Sequence, residues 1–215
     1  KASELVVRCL EEEGIEYIFG VPGEENADFM MSLEKSDRIR FILTRHEQGA
    51  AHMADGYARE TGKIGVCCAT TGPGATNLIT GVASAYTDHI PLLVITPQTR
   101  LPAFSRGAFQ ESSADGIDIP GMFEHCTRYN TMVTHADQLE IKLAAALTTA
   151  LSPPKGPAHL SVPVDLMRSD KRGQMAFPNL HGLLTRPASA VDVAALETLC
   201  QDIYTVLSQN RKVVL

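Results

Sequence analysis

The residues best placed to do chemistry are one acid, Glu47, and a glycine-rich turn, Gly72-Pro73-Gly74. Glu47 stands where the apolar run Arg40–Thr44 (RFILT) gives way to a helical pattern. The turn lies between a second apolar run and a second helical pattern, within Thr70–Asn77 (TTGPGATN). Both junctions fall at the carboxyl ends of parallel strands, where open α/β sheets place their ligands. A lone carboxylate beside such a turn suits one acid acting on a heteroaromatic ligand, and it lacks the partners of a hydrolytic triad. An ordinary first-turn carboxylate favoured by the helix dipole has the same local pattern. The small residues that follow Glu47 (Gly49, Ala50, Ala51, Ala54, Gly56) favour a functional acid, because they permit close approach of backbone or ligand. Thr70–Asn77 superficially looks like a phosphate loop. It lacks the Lys-Ser/Thr of that motif, and Pro73 removes a donor amide. His46 and His52 are six residues apart, on different faces of a helix, so no metal site is expected.

Helical and strand patterns alternate around these residues. The spacing predicts helices over Ser3–Glu13 (stopped by Gly14), Glu25–Glu34, Gln48–Glu60 (closed by Gly62), Ala75–Tyr86 and Asp137–Leu151. Strands are expected over Tyr17–Val21, Ile39–Thr44, Ile64–Thr70, Leu92–Thr96, Asn130–Val133 and His159–Pro163, with an irregular segment from the fourth strand to about Cys126. Short β-branched strands separated by helices imply an α/β, doubly wound, mostly parallel sheet of six strands with helices on both faces. That fold should group Glu47, Pro73 and Asn77 at one edge of the strand ends. Residues 169–190 lack periodicity and are rich in Pro, Gly and basic residues, which marks a linker. The amphipathic stretch Val191–Ser208 and the apolar Lys212–Leu215 then open a further α/β domain. The expected division is a domain over 1–168, a linker over 169–190 and the start of a middle domain over 191–215, so the chain is expected to be a fragment.

Composition narrows the partners. The 215 residues carry a net charge of −6 and no long basic run, which argues against nucleic acid or an anionic membrane. The longest apolar runs are strand-sized, too short for a membrane span, and the acidic N-terminal helix is unlike a secretory signal. Five cysteines without a CxxC pair indicate reduced thiols and a cytoplasmic protein.

Taken together, FGVPGEEN (Phe19–Asn26), RHEQGAAHMADGYAR (Arg45–Arg59), TTGPGATNLITGVASAYTDHIPLLVIT (Thr70–Thr96), AFQE (Ala108–Glu111) and GPAHLSVPVD (Gly156–Asp165) resemble the pyrimidine-binding domain of thiamine-diphosphate enzymes, acetolactate synthase-like branch. The resemblance covers about Ala2–Arg168. It implies that Glu47 hydrogen-bonds N1′ of the cofactor's aminopyrimidine and favours the imino tautomer, whose 4′-nitrogen then takes the thiazolium C2 proton. Gln cannot exchange that proton, and Asp is one methylene short. By the same resemblance Pro22, Thr70, Pro73 and Asn77 line the pyrimidine pocket, and Phe109 and Gln110 approach the substrate. For Phe109 the alternative is plain core packing.

The resemblance further implies Mg²⁺ and a diphosphate site on a separate domain with a Gly-Asp-Gly motif. This chain contains no such motif. FAD occurs in some relatives, on the middle domain. A homodimer or dimer of dimers through this domain, a pyruvate-like 2-oxo-acid substrate, and decarboxylase or carboligase activity complete what is implied. The chain alone is expected to be inactive. Two departures bear on the substrate. Pro163-Val164-Asp165 stands where the synthases carry Pro-Lys-Asp, and Glu24-Glu25 replaces small residues. They keep open a decarboxylase of the oxalyl-thioester or benzoylformate type and leave the cofactor chemistry untouched. A non-catalytic α/β binding module is the reading from another class, and it leaves Glu47 with the Gly-Pro-Gly turn unexplained.

Overall fold

The computed structural model describes Lys1–Asp170 and Val193–Gln209. The chain divides into two compact units, Lys1–His181 and Gly182–Leu215. Most of the expected linker and the apolar Lys212–Leu215 lie outside the described residues. In the second unit a helix runs over Val193–Ser208, as its periodicity predicts.

In the first unit the elements follow in the order α1 (Ala2–Glu12), β1 (Tyr17–Gly20), α2 (Ala27–Leu33), β2 (Arg40–Leu43), α3 (Glu47–Thr61), β3 (Gly65–Cys68) and α4 (Pro73–Thr87). Then come β4 (Leu92–Gln98), α5 (Ile119–Glu124), β5 (Tyr129–Met132), α6 (Leu139–Leu151), β6 (Pro157–Pro163) and α7 (Val164–Arg168). All six strands pair in parallel, in the order β2-β1-β3-β4-β6-β5. One core joins α1, α2, α6 and α7 to Ile18, Val66, Leu93, Ile95 and Leu160. The other joins α3, α4 and α5 to Phe19, Cys67, Leu92 and Val94. Alternate strand residues feed opposite cores, so both faces are covered.

The strand order reverses between β1 and β3. The chain leaves β1 through α2 on one face, reaches β2, and returns through α3 on the other face to β3. The carboxyl ends of β1 and β3 therefore border a crevice at a topological switch point, the usual ligand position in such sheets.

Local chemistry sets the boundaries that matter there. α2 begins at Ala27, two residues later than expected, because buried Asn26 is engaged with the preceding turn. Its Oδ1 accepts from Gly23 N at 2.8 Å and its Nδ2 donates to the Val21 carbonyl. His46 caps α3 by accepting from Gln48 N, which makes Glu47 the first helical residue, and Gly62 ends the helix at φ 71°. Of two short helices, α5 appears where irregular chain was expected and α7 directly follows the last expected strand. α5 rests on β5 and β6, where Phe123 stacks on the His159 ring, centroids 4.1 Å apart. His159 is fully buried and burial pushes its pKa down to about 3, so the ring is neutral. The Asn130 amide donates to the Pro120 carbonyl, so its Oδ1 accepts from His159 Nδ1 at 2.7 Å. His159 Nε2 then accepts from the Thr96 hydroxyl at 2.8 Å.

Four cysteines (Cys9, Cys67, Cys68, Cys126) are buried and Cys200 is exposed; all five are free thiols. Burial pushes the Cys9 and Cys67 thiols up to about 12, which makes them inert packing groups. Among the described residues no helix is long and apolar enough to cross a membrane.

Candidate functional site

Glu47 lies half-buried in the first turn of α3, and Asn77 lies in the first turns of α4. Their side chains meet, with Asn77 Nδ2 donating to Glu47 Oε2 at 3.0 Å. The meeting is set by the helix crossing. One turn further along each helix, Ala51 faces Gly81, and a Cβ placed on Gly81 would lie 2.6 Å from Ala51 Cβ. Residues four apart share a helix face, so the acid–amide pair is the next rung of that seam. Small residues hold the two helices close enough for the shorter Asn side chain to reach the acid.

The turn ahead of α4 supplies the opposite wall. Gly72 has φ 60° and Pro73 sits in the first helical turn, where its missing N–H costs nothing. A Cβ on Gly74 would lie 2.8 Å from Thr70 Cγ2 and 3.5 Å from Glu47 Oε1. Thr70, Gly74, Glu47 and Asn77 thus form one group. The turn after β1 closes on it from the other side of the crevice. A Cβ on Gly23 would strike Thr70, with Oγ1 at 2.5 Å. Pro22, one residue earlier, is exposed at the mouth.

Phe109 and Gln110 sit on the long segment after β4. Phe109 is 82% exposed, which rules out core packing for it. Gln110 adopts φ 57°, a strained backbone for a non-glycine residue, and its Cβ would lie 3.0 Å from a Cβ on Gly72. The segment is therefore seated on the Gly-Pro-Gly turn.

Several participants were not visible in the sequence. Glu25 Oε2 accepts from Thr70 Oγ1 at 2.8 Å, which brings a second carboxylate to the group. Thr71, Ser112 and Gln98 form a buried polar cluster beneath the turn. Glu25 carried a hint in its place after Pro-Gly. The cluster joins residues 14 to 41 positions apart and has no local pattern to betray it.

Gly74 tests whether these residues fit the pyrimidine of thiamine diphosphate. A side chain there would fill the space between Thr70 and Glu47, and glycine keeps it open. Glu47 spends Oε2 on Asn77 and presents Oε1 toward that space. A flat heterocycle with one ring nitrogen for an acid matches this arrangement. The residues fit.

Comparison with known proteins gives the same family. Residues 1–119, more than half the chain, match the model described as thiamine pyrophosphate enzyme, N-terminal TPP binding domain. The chain is 42% identical over 166 residues to a probable acetolactate synthase large subunit of Methanocaldococcus jannaschii, covering 77% of this chain and 27% of that protein. It is 36% identical over 213 residues to the acetolactate synthase large subunit of Buchnera aphidicola, covering 99% and 36% respectively. A third relative, the acetolactate synthase large subunit of Corynebacterium glutamicum, is 39% identical over 168 residues, covering 78% and 26%. The chain thus spans about a third or less of the length of these relatives. With the parallel six-stranded sheet and the acid–amide pair at its switch point, these matches establish that the chain belongs to the thiamine pyrophosphate enzymes and constitutes an N-terminal cofactor-binding domain of the acetolactate synthase-like branch.

Proposed function

We propose that Glu47 is the acid that serves the cofactor's aminopyrimidine, and that the full-length protein decarboxylates a pyruvate-like 2-oxo acid and joins the remaining carbon fragment to an acceptor carbonyl. The observation that carries this reading is the Glu47–Asn77 hydrogen bond, which fixes one carboxylate oxygen and leaves the other facing the Gly74 clearing. Glu47 Oε1 holds or accepts a proton at a ring nitrogen. Asn77 keeps the carboxylate from rotating away, and Thr70, Pro73 and Pro22 bound the ring. The chemistry supplied by the cofactor when bound is a carbon nucleophile and an electron sink for decarboxylation. Phe109 and Gln110 face the substrate side. The diphosphate, Mg²⁺ and any FAD fall to other domains. The domain itself runs to about Arg168, a linker follows over 169–190, and the helix Val193–Ser208 belongs to the start of a middle domain.

A second reading keeps the cofactor and changes the donor acid. Glu25 favours it, since its contact with Thr70 adds negative charge where the synthases carry a small residue. The full-length protein with Mg²⁺ and thiamine diphosphate, offered pyruvate, benzoylformate and an oxalyl thioester in turn, separates the two. Acetolactate from pyruvate supports the first, release of CO₂ from one of the other donors alone supports the second, and no CO₂ from any of them sinks both.

We further propose that the domain self-associates through the outer faces of α3 and α4. The buried residues of that pair (Ala50, Ala51, Ala54, Leu78, Val82) are already covered within the chain and do not themselves call for a partner. Met53 and Tyr86 remain 44% and 39% exposed, and Gly49 and Gly56 open onto free space. This small-residue surface suits close apposition of a second copy. Sedimentation of the full-length protein is expected to give a dimer or tetramer, and a monomer at micromolar concentration would be incompatible with it.

A further inference from the structure

Gln98 closes β4 and is fully buried. Its Oε1 accepts two backbone bonds, from Thr99 N at 3.0 Å and from Ser112 N at 3.2 Å. These two donors fix which end of the amide is oxygen. Its Nε2 is buried without a hydrogen-bond partner among the described residues, so the oxygen alone anchors the side chain. A buried amide with one end unpaired is an expensive choice for mere packing.

The oxygen's partner, Ser112, does more. Its Oγ donates to the Gln110 carbonyl at 3.0 Å, and that spends its one proton. It therefore accepts from Gly72 N at 2.9 Å and from the Thr71 hydroxyl at 2.6 Å. Ser112 thus bridges the Gly72-Pro73-Gly74 turn to the segment that carries Phe109 and Gln110. Gln98, on a rigid central strand, holds Ser112 in place by its backbone.

We propose that Gln98 is a positioning residue, which sets the distance between the turn that bounds the pyrimidine and the Phe109–Gln110 segment on the substrate side. Its effect on catalysis rests on the thiamine-diphosphate reading above; its mechanical effect does not. Without the Oε1 acceptor the Ser112 N–H loses its buried partner, the segment loosens, and the turn loses the acceptor for Gly72 N. Phe109 and Gln110 then meet the substrate over a wider range of positions. The Glu47–Asn77 pair, built on the α3–α4 seam, stays where it is.

The test is Gln98→Met in the full-length protein, which keeps the length of the side chain and removes the acceptor. Gln98→Glu is made beside it, since that change retains an oxygen at the same reach. Backbone amide exchange without ligand is expected to accelerate together in the segments 69–76 and 105–113, by about tenfold, with β1 and β6 unchanged. KM for the 2-oxo acid should rise about tenfold while the Kd for thiamine diphosphate moves by less than about threefold. Gln98→Glu should bring exchange and KM back to within about twofold of the wild type. Uniform acceleration across the sheet would reduce Gln98 to a structural residue. Acceleration confined to 105–113, or a KM that does not move, would also overturn the proposal. Should the wild-type protein bind no thiamine diphosphate and turn over no 2-oxo acid, the cofactor reading fails and the joint exchange of the two segments still decides the coupling.

Discussion

Glu47→Gln in the full-length protein is expected to slow exchange of the cofactor's C2 proton, and with it turnover, by about 10²–10⁴-fold, a typical worth for one general acid–base group. The substitution keeps shape and size. An amide at this position can still pair with Asn77, so the seam between α3 and α4 and the fold it supports should be preserved. What is lost is a proton that can be held and released at one oxygen. Affinity for thiamine diphosphate should fall little, because the diphosphate and Mg²⁺ are read as held on another domain and account for most of the binding. The measurement is deuterium exchange at C2 by quenched-flow NMR, with cofactor affinity determined in parallel. Exchange at the wild-type rate would remove Glu47 from the central role. A large loss of affinity with normal exchange would make it a binding residue only.

The largest effect on stability is expected at a glycine remote from the chemistry. Gly65 opens β3 directly under the middle of α3, where a Cβ would strike the Ala54 carbonyl group, its carbon at 2.7 Å, and crowd Leu92 Cδ2 at 2.9 Å. The obstructing atoms are helix backbone, which cannot rotate aside as a side-chain tip would. Gly65→Ala must lift α3 from the sheet, a case of overpacking that costs roughly 3 kcal/mol. For a domain of this size that amounts to a fall in melting temperature of roughly 10 °C. Thermal unfolding followed by circular dichroism measures it directly. A variant that melts with the wild type would mean that α3 has slack against β3, and the rigid placement of Glu47 argued above would lose its support.

All six strands and the main helices were legible because each is a short apolar run or a clear 3.6-residue pattern between Gly and Pro signals. The same is true of the acid and its turn, since both lie at strand-to-helix junctions. What escaped was short or nonlocal. α5 (IPGMFE) holds a Pro and a Gly in six residues and has no room for periodicity, and the five-residue α7 is no longer. β3 was expected to reach Thr70 and stops at Cys68, because the chain turns away to place Thr70 between Glu25 and Gly74. Nothing in the run IGVCCAT records that turn. Gln98 falls beyond the expected end of the fourth strand at Thr96, and only folding brings Ser112 to it. Phe109 shows the converse: an aromatic residue that composition alone would send to the core stands in solvent.

The seam between Ala51 and Gly81 has a consequence for how such a protein can change over generations. The acid and its amide partner are spaced by a helix crossing, whereas the groups we propose for the substrate side ride on the chain after β4. Variation in that chain can proceed without disturbing the acid–amide pair. A single methyl at position 81, by contrast, would part Glu47 from Asn77. One half of the site is open to drift, and the other is held by two residues too small to be made larger.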